Sequence, residues 1–224
     1  MLYNRSSFHS PFSLREKFFN CDLILLFSIL LLGVISIFAQ FSSSGGNIDY
    51  YAKSHALRFG VFFVLFLTVA FTPLKFWHGS SFLIFFILLL LLLVVKFYGV
   101  QSQGSRRWVN LYIINLQPSE LMKIGVILFL SNYYHKISEG DVNKVKYLLY
   151  PVIAIFAPFI LVISQPDLGT GILILLSGVV VTWLAGVRWK IFAYLSLGAI
   201  VTAPIAISFL KPYQKSRILT FLNP

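Results

Sequence analysis

The amino-acid sequence predicts an all-α, polytopic helical membrane protein, and three observations carry that prediction. Of the 224 residues, 58% are hydrophobic and only 11% charged, with a mean hydropathy of +0.85, which is not the composition of a soluble domain. Apolar runs long enough to cross a bilayer recur along the chain, and in hydrocarbon only a helix or a closed barrel satisfies every backbone N–H and C=O. Barrel strands alternate apolar and polar residues, whereas Ser81 to Val95 is an almost unbroken run of Leu, Ile and Phe.

Taken in order, residues 1–20 are polar, contain Arg5, Arg15 and Lys17, and lack the small-residue cleavage site of a secretory signal, so they read as a retained cytoplasmic arm. A first span is expected over about Asp22 to Gln40, closed by the turn cluster Ser42 to Gly46, and a second over about His55 to Thr72, closed by Pro73. The third, about Ser80 to Tyr98, opens into a loop from Gly99 to Leu116. A fourth, about Pro118 to Tyr134, starts at a proline suited to the first helical position, where no N–H partner is needed. The mixed-charge connector Lys136 to Lys146 follows. The fifth span, about Leu148 to Ser164, holds Pro151 near its start and Pro158 inside, where a missing hydrogen bond kinks a helix. Gln165, Pro166 and Asp167 make a tight corner before the sixth span, about Leu168 to Ala185, and the seventh runs from about Trp189 to Leu210. The expected organisation is an arm over 1–20, a transmembrane domain of seven spans over 21–210, and the start of an extramembrane loop over 211–224.

Several function classes drop out at once. The single cysteine, Cys21, forms no internal disulfide and no thiol or zinc framework. His9, His55, His78 and His135 are scattered over different loops without metal-ligand spacing, and no Gly-rich phosphate loop or nucleophile elbow is present. A net charge of +11, from 18 basic and seven acidic residues, would point to nucleic acid in a soluble domain. Here the basic residues sit in short loops between spans, so membrane lipid headgroups are the fitting partner and nucleic acid is not.

Chemistry concentrates between Gly104 and Asn132, GSRRWVNLYIINLQPSELMKIGVILFLSN. An ionisable residue inside a spanning segment costs about 2.5 to 3.5 kcal/mol on insertion scales and is retained for a task. Glu120 falls in the first turn after Pro118, near the positive end of the helix dipole. Lys123 follows at i+3, on the same face and within reach of that carboxylate. Two readings stay open: the pair neutralises itself so that the helix can insert, or it shapes a polar cavity entered from the side of Arg106 and Arg107. Asp167 is placed to cap the sixth helix by accepting from its first-turn N–H groups.

These stretches carry a resemblance. GSRRWVNL followed by QPSELMKIGVILFL, and later QPDLGT at Gln165 to Thr170, resemble the signature stretches of the SEDS family, the RodA/FtsW-like polytopic proteins of bacterial elongation and division. Similarity extends through the chain after roughly residue 20, and YQKSRILTFLNP, Tyr213 to Pro224, is similar to the segment that follows the seventh membrane helix in the RodA branch. The resemblance implies a multi-pass protein of the bacterial cytoplasmic (inner) membrane with a cytoplasmic N-terminus. That orientation is not decided by basic residues, which divide nine against eight between the two sides with Lys123 in the membrane. It places the Arg106 loop, the Asp167 corner and the tail on the outer face.

The activity implied is that of a peptidoglycan glycosyltransferase polymerising lipid II, the undecaprenyl-pyrophosphate-linked precursor, in cell-wall elongation and cell-shape control, with a class B penicillin-binding protein transpeptidase as partner. Such a reaction needs a carboxylate to take the acceptor proton and positive charge on the leaving pyrophosphate. Arginine forks bind phosphate oxygens bidentately, so Arg106 and Arg107 beside Trp108 fit that second role, while Arg and Trp would equally anchor a re-entrant loop at the interface. Glu120, Lys123 and Gln165 complete the substrate-binding candidates. No cofactor is evident; a divalent cation is the one candidate the resemblance allows. The family's catalytic aspartate lies in a large outer loop after the seventh helix, and its members have about ten spans. The sequence ending at Pro224 is therefore expected to be C-terminally truncated and inactive alone, its base unassigned, with Asp167 a contributor on motif match only. A flippase of lipid-linked precursor, formerly proposed for the family, and a non-catalytic scaffold are the competing classes.

Overall fold

The computed structural model describes residues 21–102, 105–110 and 115–208, and the seven expected helices form within them. They are α1 Leu23–Ser43, α2 Lys53–Phe71, α3 Leu74–Tyr98, α4 Pro118–His135, α5 Val145–Ser164, α6 Leu168–Leu184 and α7 Trp189–Ser208. The arm 1–20 and the segment 211–224 lie outside the described residues. Most boundaries fall within a few residues of those read from hydropathy. The largest difference is α3, which starts at Leu74 rather than Ser80. Hydropathy marks the apolar part of a helix, and the less apolar KFWHG stretch continues the same hydrogen-bonded ladder. Pro151 and Pro158 both lie inside one continuous α5.

By length and composition α1, α2, α3 and α5 can each cross a membrane, and the apolar α6 is shorter at 17 residues. Their outer surfaces are those of a protein in lipid: Leu23, Ile24, Phe27 and Phe38 on α1 and Leu83, Phe86 and Leu90 on α3 are all more than half exposed. Contiguous apolar surface of this extent is foreign to soluble monomers, and the chain is a helical membrane protein.

The stretch expected to be a loop, Gly99 to Leu116, instead contains a small antiparallel sheet in the order β1-β2-β3: β1 Val100–Ser102, β2 Ser105–Asn110 and β3 Asn115–Leu116. Gln101 pairs with Arg106 and Ser102 with Ser105, while Val109 pairs with Leu116 and Asn110 with Asn115. Val100, Trp108 and Val109 favour extended backbone, and pairing satisfies main-chain groups that would otherwise need water. A polar interval between two strong hydropathy peaks conceals that signal.

The chain forms two compact units, Met1–Trp77 and His78–Pro224. In the first, Asp22 caps α1 by accepting from Ile24 N–H and Leu25 N–H at 3.0 Å each. Gly45 and Gly46, at φ +68° and +85°, make the turn that ends α1. α1 and α2 touch where Gly33 faces the Phe59 ring so closely that a Cβ would sit 2.1 Å from it, and Ser36 Oγ bonds His55 Nε2 at 2.9 Å.

The second unit holds the core. Leu92, Met122, Val126, Leu130, Val162 and Ile174 are fully buried between α3, α4, α5 and α6. Phe129 of α4 packs against Phe85 and Phe82 of α3 at ring distances of 4.4 and 4.8 Å. Nearby, Asn132 Nδ2 donates to His78 O at 2.7 Å and to Ser81 Oγ, an interhelical polar link of the kind that fixes helices in bilayers. α5 and α6 approach closely because Gly178 lies against Ile155.

Candidate functional site

The corner between α5 and α6 is built around the Asp167 carboxylate. Oδ1 accepts from Thr170 N–H at 3.3 Å and Oδ2 from the Thr170 hydroxyl at 3.0 Å, so the side chain caps α6 as its position before Leu168 predicts. Two further partners, one donor and one counter-charge, come from distant sequence. Gln117, the residue before Pro118 at the head of α4, donates Nε2–H to Oδ2 at 2.9 Å, and Arg107 Nη1 of β2 lies 3.6 Å from the same oxygen.

Arg107 is held by more than the carboxylate. Its Nε donates to the Gln165 carbonyl at 3.3 Å and its Nη2 to the Pro166 carbonyl. Gln165 is itself fixed, with 4% of its surface exposed and its Nε2 donating to Leu92 O of α3 at 2.8 Å. The Gln-Pro-Asp corner therefore grips one guanidinium with two carbonyls and one carboxylate, and ties together α3, the sheet, α4 and the α5–α6 junction. Asp167 is 8% exposed, whereas about a fifth of the Arg107 side chain, 21%, stays accessible. A guanidinium held in this way is a pre-organised cationic group at the rim of the helices, suited to meeting an anion without reorganising.

Other expected site residues fall as follows. Lys123 Nζ and Glu120 Oε2 form the expected i, i+3 pair at 2.9 Å, one turn into α4. The pair is not enclosed: 26% of the lysine and 52% of the glutamate side chain are exposed. Glu120 lies on the outward side of the helix start, opposite the buried Pro118 and Ser119. Trp108 is half-buried on β2, and strand alternation sends it to the face opposite Arg107. Arg106 is in β2 opposite Gln101, and its side chain lies outside the described residues. Among the described residues no three His, Cys, Asp or Glu side chains converge as metal ligands.

Two members of the cluster escape sequence reasoning. Gln117 and Thr170 stand within the quoted QPSEL and QPDLGT stretches, where neither is singled out for a role. The Thr170 role has a local signal, since a hydroxyl three residues after a cap can bond the capping carboxylate. Gln117 has none, because its partner lies fifty residues away.

Residues 17–224 match the family described as cell cycle protein, FtsW/RodA/SpoVE. The probable peptidoglycan glycosyltransferase FtsW of Buchnera aphidicola subsp. Baizongia pistaciae (strain Bp) is 33% identical over 217 residues, which is 93% of this chain and 55% of that protein. The peptidoglycan glycosyltransferase MrdB of Escherichia coli (strain K12) is 32% identical over 204 residues, 91% of this chain and 54% of that one. The chain thus spans about half the length of the curated relatives it matches. Among solved structures, the rod shape determining protein RodA of Thermus thermophilus superposes with a TM-score of 0.67 at 23% identity, over 83% of this chain and 60% of that one. A chain from a peptidoglycan synthase complex superposes at 0.69 and 24% identity, over 88% and 59%. Both likenesses establish a shared fold.

Proposed function

This chain belongs to the FtsW/RodA/SpoVE family of cell cycle proteins, and from that premise we propose that it supplies the pyrophosphate-holding end of a membrane-embedded peptidoglycan glycosyltransferase that polymerises lipid II. The observation that carries the reading is the Arg107 guanidinium clamped on the Gln165-Pro166-Asp167 corner. In the reaction an acceptor sugar hydroxyl attacks the anomeric carbon of the donor. The new C–O bond forms as the bond from that carbon to the pyrophosphate oxygen breaks, the lipid pyrophosphate leaves with the electron pair, and the hydroxyl proton passes to a general base other than Asp167. Negative charge grows on the leaving oxygen, and a fixed guanidinium lowers the barrier by meeting it there.

Asp167 acts in this scheme as a positioning residue. Its oxygens already accept from Thr170 and Gln117 and face the Arg107 guanidinium at 3.6 Å, and a carboxylate so occupied is poorly placed to take the acceptor proton. Lys123, paired with Glu120 at the same end of α4 as Gln117, is a second cation for the precursor's headgroup. The protein works in the bacterial cytoplasmic membrane with its N-terminus inside, so that this end faces outward. It serves cell-wall elongation beside a class B penicillin-binding protein.

The test uses purified lipid II with the intact protein and that partner. Glycan polymer on a gel supports the reading. Movement of labelled precursor across liposomes without polymer formation would replace it with a flippase, and neither activity would leave a scaffold.

A further inference from the structure

The opposite end of the second unit carries a different feature. There the α4–α5 connector is docked on the α6–α7 turn by one side chain: Asn143 Oδ1 accepts from Arg188 N–H at 2.8 Å, and its Nδ2 donates to Gly186 O at 3.3 Å. Gly186 needs its left-handed φ of +92° to make that turn. The clamp brings together the end of α6 and the starts of α5 and α7, and with them a set of apolar side chains no core accounts for. Val145 is 83% exposed, Leu184 72%, Trp189 67% and Trp183 58%.

Around these four the charge is positive. The connector and turn carry Lys136, Lys144, Lys146, Arg188 and Lys190 against Glu139 and Asp141. Asp141 is spent on Lys144, its neighbour at i+3, and the lysine's hydrogen bond holds the Asp141 carboxyl below the usual carboxylate range. Lys146, Arg188 and Lys190 make no ion pair among the described residues. Exposed tryptophans lie at membrane interfaces, and basic side chains between helix ends draw anionic headgroups.

We propose that the Asn143-clamped corner, with Arg188 and Lys190 beside Trp183 and Trp189, is a binding site for the headgroup of an anionic glycerophospholipid. The phosphate lies against the two bases and the acyl chains run along Val145 and Leu184. Lipid fits better than a protein partner because exposed apolar helix ends and the basic Lys146, Arg188 and Lys190, which make no ion pair among the described residues, meet at this one corner.

The experiment reconstitutes the 224-residue chain in phosphatidylcholine vesicles and follows tryptophan emission on titration with brominated phosphatidylglycerol or brominated phosphatidylcholine. Trp77→Phe and Trp108→Phe confine the signal to Trp183 and Trp189. The expected result is a preference of about fivefold or more for the anionic lipid, falling to near parity in Arg188→Gln with Lys190→Gln, two exposed positions whose change leaves the unfolding temperature unaltered. Asn143→Leu keeps every charge but releases the turn, and should lose most of the preference. Equal quenching by both lipids overturns the proposal and leaves the patch to a protein partner. Preference surviving the double substitution, or surviving Asn143→Leu in full, overturns the assigned geometry. Collapse of the preference in millimolar inorganic phosphate would make the ligand a free anion and overturn the lipid.

Discussion

Asp167 accepts from Thr170 N–H, the Thr170 hydroxyl and Gln117 and pairs ionically with Arg107 at 3.6 Å, and that occupancy sets its role. Removing the carboxylate takes the Asp167 counter-charge away from the partly buried Arg107 guanidinium. Hydrogen bonds to charged groups contribute about 1.5 to 3 kcal/mol, so Asp167→Ala should lower unfolding stability by about 2 to 3 kcal/mol. Adding Arg107→Gln should restore part of the loss, because the uncompensated cation is then gone. Chemical denaturation of the three variants in detergent measures both effects. Glu120 and Lys123 are a different case. Their half-exposed pair is worth under about 1 kcal/mol, so Glu120→Gln and Lys123→Met should unfold within that margin of the parent while lipid II polymerisation falls. Loss of stability with unchanged polymerisation would make the pair a structural bridge. The Asp167 cap was legible in the sequence because its acceptor and donors lie within three residues. Its grip on Arg107 was not, since nothing in a linear pattern joins positions sixty residues apart.

At the scale of elements, packing decides between two opposed glycine effects. Alanine in place of glycine favours a helix interior by about 1 kcal/mol. At Gly198 of α7 a Cβ meets nothing within 4 Å, so Gly198→Ala should gain up to that amount. At Gly178 of α6 the same Cβ would lie 2.4 Å from Ile155 Cγ1 and 3.2 Å from its Cγ2, so the whole side chain must move. Overpacking of this kind costs roughly 1 to 3 kcal/mol, and Gly178→Ala should be net destabilising in the same unfolding measurement. Asn132→Leu should cost about 1 kcal/mol by breaking the link from α4 to His78 and Ser81. Helix existence was legible because apolar runs exceed the bilayer thickness. The β1–β2–β3 sheet was not, because Val100, Trp108 and Val109 are too few to stand out between two spans.

For the whole molecule, the second unit has two chemically distinct ends, with Arg107 and Asp167 at one and the Asn143 corner at the other. Membrane orientation turns that polarity into function. In a Cys21→Ala background, an impermeant thiol reagent on intact cells should label Arg106→Cys and spare Lys144→Cys, and the reverse pattern would put the arginine end in the cytoplasm. The sequence left this open, since its basic residues divide almost evenly between the two sides.

The most direct test of the central claim is the initial rate of lipid II polymerisation by the intact protein carrying Arg107→Gln. A pre-organised donor facing developing charge is worth about 100-fold or more in rate. The rate per folded protein should therefore fall by about that factor, with Asp167→Asn, which loosens the same guanidinium, falling less. An Arg107→Gln protein that polymerises lipid II near the parent rate would contradict the assignment of this end as the pyrophosphate site.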